Sequence, residues 1–191
     1  MNRTYLNARK HLKPRIYGDL KLAVDQARKR RLLDIIRKTA DYQFGLGAGE
    51  ILFPEDVDLV ISKKTGRVRH ILLNGALIAT LNPSSGLLNL TIEGAERLCS
   101  NGGVTLRWVK VKDEAAHFVE KGRNVFARHV IDADRAIRPF EEVVVLNSHG
   151  EIIAVGRALL SGSEMLEFKR GVAVRVRRGR MEKTKKGKDE E

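Results

Sequence analysis

The chain contains very little cysteine: Cys99 is the only one among 191 residues. A single cysteine excludes a disulfide framework within the chain and any zinc site built from several thiolates. A reducing cytoplasm is therefore the expected compartment. The five histidines are scattered, with no two of them three to five positions apart. The sequence thus predicts no metal site and no bound cofactor.

Long apolar runs and aromatic residues are also scarce. No apolar stretch approaches the ~20 residues that a membrane span requires, and the basic start of the chain lacks the apolar segment of a signal peptide. Aromatic residues make up only 5% of the chain. If the protein binds nucleic acid, few side chains are available for stacking on bases, which favours recognition of backbone and shape.

Recognisable catalytic motifs are missing as well. The chain has no Gly-x-Ser-x-Gly elbow and no Walker loop. The glycines at 45, 47 and 49 follow a predicted helix instead of a strand, so tight turns and close packing explain them better than a phosphate cradle. Asp132 and Asp134 alternate and precede Arg135, a pattern typical of a solvated turn. These observations favour a binding protein over an enzyme.

Positive charge is abundant: 36 Lys and Arg stand against 24 Asp and Glu, a formal net charge of +12. A chain this basic usually meets a polyanion, because each Lys or Arg that neutralises a phosphate releases a condensed counterion. Charge alone therefore predicts a nucleic acid or an anionic surface as the partner. The basic run that contains Arg28 and Arg31 is equally consistent with RNA binding and with a solvated helix face.

The pattern predicts an α+β chain of two small domains between a basic arm (1–18) and a charged, disordered tail (179–191). In the first domain (19–103), a helix over Asp19 to Ala40 precedes strands at 57–61, 68–73, 76–81 and 87–90, with Asn74-Gly75 as a hairpin turn. Thr91 is expected to cap a helix that ends near Ser100.

The second domain (104–178) contains many short strands, which predict a small β-barrel. The strands are expected at 104–111, 125–127, 142–146, 152–160 and 172–176. Asp113 is the predicted N-cap of a helix that ends with Gly122 as its C′ residue. Residues 161–163 are expected to be a loop between two strands.

Several segments of this second domain strongly resemble a PUA domain. They are Lys121-Gly122-Arg123-Asn124-Val125-Phe126-Ala127, Val130 to Asp134, Ile137 to Val143 and Gly150 to Ala158. The closing segment, Met165 to Val174, is similar to the PUA domain that ends archaeosine tRNA-guanine transglycosylases. One departure is Phe140, where these domains usually have Gly, which suggests an altered turn.

The resemblance extends upstream, so that it covers roughly residues 32–178. Thr39 to Gly45, Gly49-Glu50, Leu52-Phe53-Pro54, Leu77 to Leu81 and Gly86-Leu87 look like the small domain that precedes the PUA domain in the same enzymes. In the full enzymes a (β/α) barrel carries the aspartate nucleophile and the zinc site, and such a barrel takes ~250 residues. The resemblance therefore implies a tRNA-binding C-terminal region without the catalytic barrel.

The resemblance implies a non-catalytic tRNA-binding protein that works with a catalytic transglycosylase chain. Its PUA domain would bind the acceptor stem and its 3′ end, and the preceding domain would help to present the D-arm guanine to the catalytic chain. Phosphate pairing is expected from basic side chains and close backbone approach from a glycine. The candidate RNA-binding residues are Lys121, Gly122, Arg123, Phe126, Arg128, Arg157, Lys169, Arg170, Arg28 and Arg31. Phe126 could pack against a base or ribose, although a Phe in a strand is more often a core residue, and Met165 could likewise belong to the core.

Two alternatives stay open. PUA domains also occur in rRNA-modifying and ribosome-associated proteins, so the RNA partner could be ribosomal. A tRNA-modifying enzyme in its own right is the other reading, with Asp41 or an acid in the 132–134 segment as nucleophile or general base. The missing catalytic domain makes this second alternative the weaker one.

Overall fold

The structure, a computed structural model, describes residues 14–62, 65–100 and 106–182, with side chains from residue 26 onward. The first part of the chain forms an antiparallel meander with helices packed on it. Its elements are α1 (Pro14–Phe44), α2 (Ala48–Leu52), β1 (Asp58–Ile61), β2 (Val68–Leu73), β3 (Ala76–Leu81), β4 (Leu88–Leu90) and α3 (Ile92–Ser100). The four strands pair in chain order.

The second part forms a six-stranded sheet that curls into a nearly closed barrel. Its elements are β5 (Trp108–Val111), α4 (Asp113–Glu120), β6 (Val125–Phe126), a 3₁₀ turn (Ala127–His129), β7 (Val130–Ala133), β8 (Glu142–Leu146), β9 (Ile152–Ala158), α5 (Gly162–Glu167) and β10 (Val172–Gly179). The strand order is β6-β10-β9-β8-β5-β7. The predicted α+β class with a terminal barrel is confirmed.

The first helix differs from its prediction at both ends. The helix begins at Pro14, inside the predicted basic arm, and the first position of a helix suits the fixed φ and missing N–H of proline. At the other end α1 continues to Phe44. The predicted arm, residues 1–18, lies outside the described residues except for 14–18, which belong to α1.

The glycines after α1 have the structural roles that the sequence predicts. Gly45 and Gly47 have φ values of 105° and 89°, in the left-handed region that glycine tolerates. Gly49 lies so close to α1 that a Cβ would stand 2.4 Å from the Arg37 carbonyl oxygen. The Gly49 N–H donates a hydrogen bond of 2.8 Å to Asp41. These contacts fold α2 back onto α1.

The meander follows the sequence closely. Strands β2 and β3 have the predicted bounds, and Asn74 and Gly75 between them have φ values of 51° and 79°. Positive φ at both residues is the requirement of a type I′ hairpin turn. Between β1 and β2, Lys63 and Lys64 lie outside the described residues.

Helix α3 begins as predicted and is held tightly on the sheet. The Thr91 hydroxyl accepts a hydrogen bond of 3.1 Å from Gly94 N–H, which is the expected capping contact. A Cβ on Gly94 would lie 2.1 Å from the Ile78 carbonyl oxygen, so only glycine allows this approach. The described part of α3 reaches Ser100, near its predicted end, and residues 101–105 lie outside the described residues.

The outer edge of β4 is closed by a side chain instead of another strand. Gln43, at the end of α1, accepts a hydrogen bond of 2.6 Å from Leu88 N–H and donates one of 3.1 Å to Leu88 O. An amide side chain carries one acceptor and one donor group, so it can replace the pair of ladder bonds that a neighbouring strand would make. Edge strands left open are prone to unwanted pairing.

Replacing Gln43 with Leu is expected to destabilise the fold by about 1–3 kcal/mol, because two part-buried backbone groups lose their partner. Urea unfolding measures the change. Gln26→Leu on the same helix is the matched control, since Gln26 is exposed, and it should stay within ~0.5 kcal/mol of wild type. Equal stability of the two variants would contradict the edge role of Gln43.

Strand β8 has two buried faces, which places the barrel directly against the first domain. Val143 and Val145 belong to the barrel interior, whereas Val144 joins the core of the first domain. Ile152 and Val155 of β9 join that core as well. Because side chains alternate along a strand, a run of buried valines is typical of a sheet covered on both sides. The outer face of the barrel therefore packs into the core of the first domain, while the barrel interior forms a second core.

Helix α4 ends as predicted but begins differently. Its N-cap is Lys112 without a side-chain bond, and Asp113 is the first helical residue. The end is a Schellman motif: Gly122 N–H donates to Val119 O at 2.9 Å and Arg123 N–H to Phe118 O at 3.0 Å. Gly122 has a φ of 85°, in agreement with its predicted C′ position.

Helix α5 occupies the segment expected to be a loop. Ser161 and Glu164 form a capping box, in which the Ser161 hydroxyl accepts from Glu164 N–H at 3.3 Å and the Glu164 carboxylate accepts from Ser161 N–H at 2.7 Å. These bonds from the Ser161 backbone and hydroxyl lower the pKa of the Glu164 carboxyl. The Ser-x-x-Glu spacing was the available sequence signal, and the prediction missed it.

Strands β7 and β10 correct two further predictions. Asp132 lies in β7 instead of a solvated turn, and Asp134 follows the strand directly. Strand β10 extends to Gly179, and Arg180 donates a hydrogen bond of 2.7 Å to Ile152 O. The first residues of the predicted disordered tail are therefore part of the fold, while residues 183–191 lie outside the described chain.

Candidate nucleic-acid interface

Seven of the ten predicted RNA-binding residues lie on two adjacent segments of the barrel. The pairing of β6 with β10 sets Phe126 opposite Val172, and Ala127 N–H donates a hydrogen bond of 3.0 Å to Gly171 O. These contacts bring the segments 121–128 and 168–171 side by side. We call the resulting group the barrel-edge cluster; its members are Lys121, Gly122, Arg123, Phe126, Arg128, Lys169 and Arg170.

The charges of the barrel-edge cluster are exposed and available. Its five Lys and Arg side chains are all solvent-exposed. Among the described residues, none of them has a carboxylate within 4.0 Å. The Arg128 guanidinium donates to the neighbouring His129 ring at 2.9 Å. Unpaired cations on one edge are suited to an array of phosphates, because they lose no ion pair when they bind.

Phe126 and Gly122 differ in how accessible they are to an RNA ligand. The Phe126 side chain is 45% exposed, so it is accessible to a base or ribose, whereas Met165 is fully buried in the core. A Cβ on Gly122 would lie 2.9 Å from the Glu182 carboxylate. The space over Gly122 is thus occupied by a flexible acidic side chain, which an RNA backbone would have to displace.

The other three predicted residues lie elsewhere. Arg157 in β9 is aligned with Glu142 on one side and Arg175 on the other, near the junction of the two domains. Arg28 and Arg31 are exposed on α1 in the first domain. The Arg28 guanidinium lies 3.6 Å from the position of a Cβ on Gly66, which places it at the β1–β2 turn.

Glu142 and Arg177 join the two domains, a contact that the sequence did not predict. The Glu142 carboxylate accepts a hydrogen bond of 3.1 Å from Leu90 N–H in β4 and one of 2.9 Å from Arg177. Arg177 also donates to Leu90 O at 3.1 Å. The pair therefore completes the β4 edge beside Gln43. Burial raises the pKa of the Glu142 carboxyl, although the charge and hydrogen bonds of Arg177 oppose this effect.

A groove of about 860 Å³ lies beside this junction, between the end of α1 and the loop before β8. Two of its lining residues are exposed aromatics, Tyr42 (82%) and Phe140 (69%). Three arginines also line it: Arg107, Arg135 and Arg138. Sequence reasoning passed over these residues as candidate contacts, although an aromatic in a polar loop is a signal that could have been used.

The carboxylates considered as catalytic groups have structural partners. Asp41 accepts from Gly49 N–H, as described above. Asp134 accepts hydrogen bonds of 2.8 Å from Arg107 and from Ala136 N–H. Desolvation raises the pKa of the Asp134 carboxyl, but the Arg107 and Ala136 hydrogen bonds and the Arg107 charge outweigh it and lower the pKa overall. Both acids therefore organise turns.

Neither a membrane span nor a metal cluster is found in the part of the chain that the structure describes. None of the described helices combines the length and apolarity needed to cross a bilayer. Within the same residues, no three His, Cys, Asp or Glu side chains come together as metal ligands.

Two family models match the chain in consecutive segments. Residues 34–101 match the patch-forming domain C2 of tRNA-guanine transglycosylase, and residues 107–180 match the PUA domain. The first match covers the last third of α1, then α2, the meander and α3, and the second covers the barrel. The two matched families are those that the resemblance indicated, in the same order.

Curated relatives match the same region. The chain is 43% identical to tRNA-guanine(15) transglycosylase of Methanothermobacter thermautotrophicus over 162 residues, which is 85% of this chain and 24% of the relative. It is 41% identical to the enzyme of the same name from Thermococcus kodakarensis, over 85% of this chain and 28% of that protein. The chain thus spans about a quarter of the length of these relatives.

Solved structures show the same fold at low sequence identity. A hypothetical protein from Pyrococcus horikoshii OT3 has a TM-score of 0.63 at 23% identity, with 78% of this chain and 90% of that chain covered. A conserved PUA domain protein from Thermoplasma acidophilum has a TM-score of 0.57 at 21% identity, with 79% and 89% covered. The chain therefore contains, in order, a domain that matches the patch-forming domain C2 of tRNA-guanine transglycosylase and a PUA domain.

Proposed function

We propose that this chain is a tRNA-binding protein that acts, without chemistry of its own, beside the catalytic part of a tRNA-guanine(15) transglycosylase. One observation carries the proposal: both domains match the corresponding region of these enzymes in order, at 43% identity over 162 residues. The barrel-edge cluster supports it, because five exposed cations without carboxylate partners are suited to phosphates.

The two domains would share the work on one tRNA. The PUA domain would hold the acceptor stem through the barrel-edge cluster, and the C2 domain would help to present the D-arm to the catalytic chain. The packing of β8 and β9 side chains into the core of the first domain and the Glu142–Arg177 contact support this arrangement, since they hold the two domains in one orientation. Arg28 and Arg31 on α1 would extend the basic surface toward the D-arm.

A binding experiment tests the first half of the proposal. Unmodified tRNA transcript should bind the purified chain at least about tenfold more tightly than a duplex RNA of equal length, and binding of both should weaken steeply with salt. Filter binding or fluorescence anisotropy at several salt concentrations measures this. Equal affinity for tRNA and for any duplex would contradict tRNA recognition, and a preference for ribosomal RNA fragments would favour a role in rRNA modification.

A separate assay tests the role beside a catalytic chain. Labelled guanine exchange into tRNA should be absent with this chain alone and should be stimulated when it is added to a catalytic transglycosylase chain. Co-purification from the native cells should recover both tRNA and such a chain. Exchange by this chain alone, abolished by Asp41→Ala, would overturn the non-catalytic assignment.

A further inference from the structure

The groove between α1 and the β7–β8 loop contains a phenylalanine in an unusual backbone conformation. Phe140 has a φ of 74°, in the left-handed region that bulky L side chains avoid. Its N–H donates a hydrogen bond of 2.8 Å to Ala158 O, and the Glu141 N–H donates to Arg138 O at 3.2 Å, which fixes the turn. The backbone strain is therefore built into a well-bonded part of the barrel.

Phe140 gains little from burial in return for this strain, since 69% of it is exposed. A glycine would adopt the same backbone without strain. Strained residues of this kind cluster at binding sites, where the unusual conformation aims a side chain at a ligand. The exposed ring is therefore expected to contact a ligand, since it contributes little to the stability of the fold.

The surroundings of Phe140 indicate which ligand the ring serves. Tyr42, 82% exposed at the end of α1, lines the same groove. Arg135 and Arg138 also line it, and among the described residues neither guanidinium group has a carboxylate within 4.0 Å. The Glu141 carboxylate accepts a hydrogen bond of 3.0 Å from the backbone N–H of Arg138. Aromatic side chains beside free guanidinium groups commonly bind unpaired nucleotides, because bases stack on the rings and phosphates pair with the arginines.

The acidic groups near the groove do not neutralise the guanidinium groups of Arg135 and Arg138. Arg107 is engaged by Asp134 at 2.8 Å and approaches Glu141 at 3.9 Å. Glu142 is bound by Arg177 and by the β4 backbone. The carboxylates of the groove wall therefore have cationic partners of their own, and Arg135 and Arg138 remain for a ligand.

We propose that this groove binds one or two unpaired nucleotides of the RNA, stacked on Phe140 and Tyr42 with their phosphates on Arg135 and Arg138. The proposal rests on the proposed RNA-binding function and adds a second contact, on the interdomain side of the barrel, to the barrel-edge cluster. The groove volume of about 860 Å³ lies within the range typical of small-ligand sites.

Substitutions at Phe140 separate stacking from folding. Phe140→Gly removes both the ring and the strain, so its melting temperature should equal that of wild type or exceed it by up to ~4 °C. Phe140→Leu keeps the strain and the apolar bulk but removes the aromatic face. Phe140→Tyr keeps the face. The affinity for RNA with unpaired nucleotides should fall about 5- to 150-fold in the first two variants and stay near wild type in the third.

The probes are a hairpin RNA with a four-nucleotide 3′ overhang and the same hairpin with a blunt end, measured by fluorescence anisotropy. The Phe140 variants should lose affinity for the overhang RNA only. A 2-aminopurine in the overhang should be quenched by wild type and by Phe140→Tyr but not by Phe140→Gly.

Three outcomes would overturn the inference. Equal loss on blunt and overhang RNA would assign the ring to duplex contact. If Phe140→Leu binds the overhang RNA as tightly as wild type, an apolar side chain is sufficient at this position and base stacking is excluded. Wild-type affinity of Phe140→Gly, with RNA binding otherwise intact, would remove the groove from RNA binding and leave the proposed function standing. If the wild-type protein binds neither the hairpin RNAs nor tRNA, the proposed function itself fails.

Discussion

Replacing Arg177 with Met is expected to destabilise the protein by about 3 kcal/mol, and by more at pH 8 than at pH 5. The substitution leaves the Glu142 carboxylate, whose side chain is only 7% exposed, without its cationic partner. Removing one partner of a buried pair typically costs 3–5 kcal/mol, and the lower end applies because Arg177 itself is 33% exposed. For a domain of this size the melting temperature should fall by roughly 6–12 °C.

The pH dependence follows from the direction of the Glu142 shift. Burial raises the pKa of this carboxyl, and Arg177 supplies the charge and hydrogen bonds that oppose the rise. Without Arg177 the folded-state pKa moves further up. A group with a raised folded-state pKa stabilises the protein below its unfolded-state pKa and loses that contribution as pH rises through the folded-state pKa. The difference between Arg177→Met and wild type should therefore shrink as pH falls.

Arg175→Met is the matched control for this experiment. Arg175 is exposed and lies two residues before Arg177 on the same strand. Its replacement should change the free energy of unfolding by no more than ~0.5 kcal/mol. A double variant, Glu142→Leu with Arg177→Met, should recover part of the loss because no buried charge remains. If Arg177→Met is as stable as Arg175→Met, the Glu142–Arg177 contact does not hold the domains together.

Neutralising four cations of the barrel-edge cluster should abolish most of the affinity for tRNA. The variant is Arg123→Gln, Arg128→Gln, Lys169→Gln and Arg170→Gln. Each lost phosphate contact reduces the slope of log K against log salt concentration by ~0.7–0.9, so the slope should fall by about three. With the affinities of the variant and the wild type taken as equal at about 1 M salt, this slope difference predicts a loss of tRNA affinity on the order of a hundredfold near physiological salt. All four side chains are exposed, so the fold should be unaffected.

A control variant with the same net charge separates a specific surface from the general positive charge of the protein. Arg30→Gln, Lys38→Gln, Arg67→Gln and Arg69→Gln remove four exposed cations of the first domain. If the barrel-edge cluster binds phosphates directly, the control should keep most of the salt slope and the affinity. Equal losses in the two variants would mean that the RNA responds to net charge alone, against a defined interface.

Several features could be predicted from the sequence because they depend on neighbouring residues. The type I′ turn at Asn74-Gly75 follows from two residues that tolerate positive φ. The end of α4 at Gly122 follows from the same property. Strands β2 and β3 follow from apolar runs between turn residues. The resemblance to PUA and transglycosylase C-terminal domains likewise depends on ordered motifs, which the printed sequence contains.

Features that depend on contacts between distant segments could not be predicted in this way. Gln43 closes the β4 edge 45 residues further along the chain, and Glu142 meets Arg177 only because β8, β9 and β10 are neighbours in the sheet. Nothing around any of these residues distinguishes it from an ordinary surface amide, acid or base. Their burial and partners exist only after the strands have paired.

The candidate site shows the same division. Ten candidate RNA-binding residues could be listed from the sequence, and the structure adds that seven of the ten share one edge, since β6 pairs with β10. Arg157 was placed with them by its motif, but the register of β9 turns it toward Glu142. The sequence by itself determined the net charge, the turns, the domain types and most strand positions, because these depend on composition and local order. Only the tertiary structure decided which cations lie free on one edge, which are paired at the domain junction, and that Phe140 stands exposed in a left-handed turn, because those properties depend on strand register and packing across the whole chain.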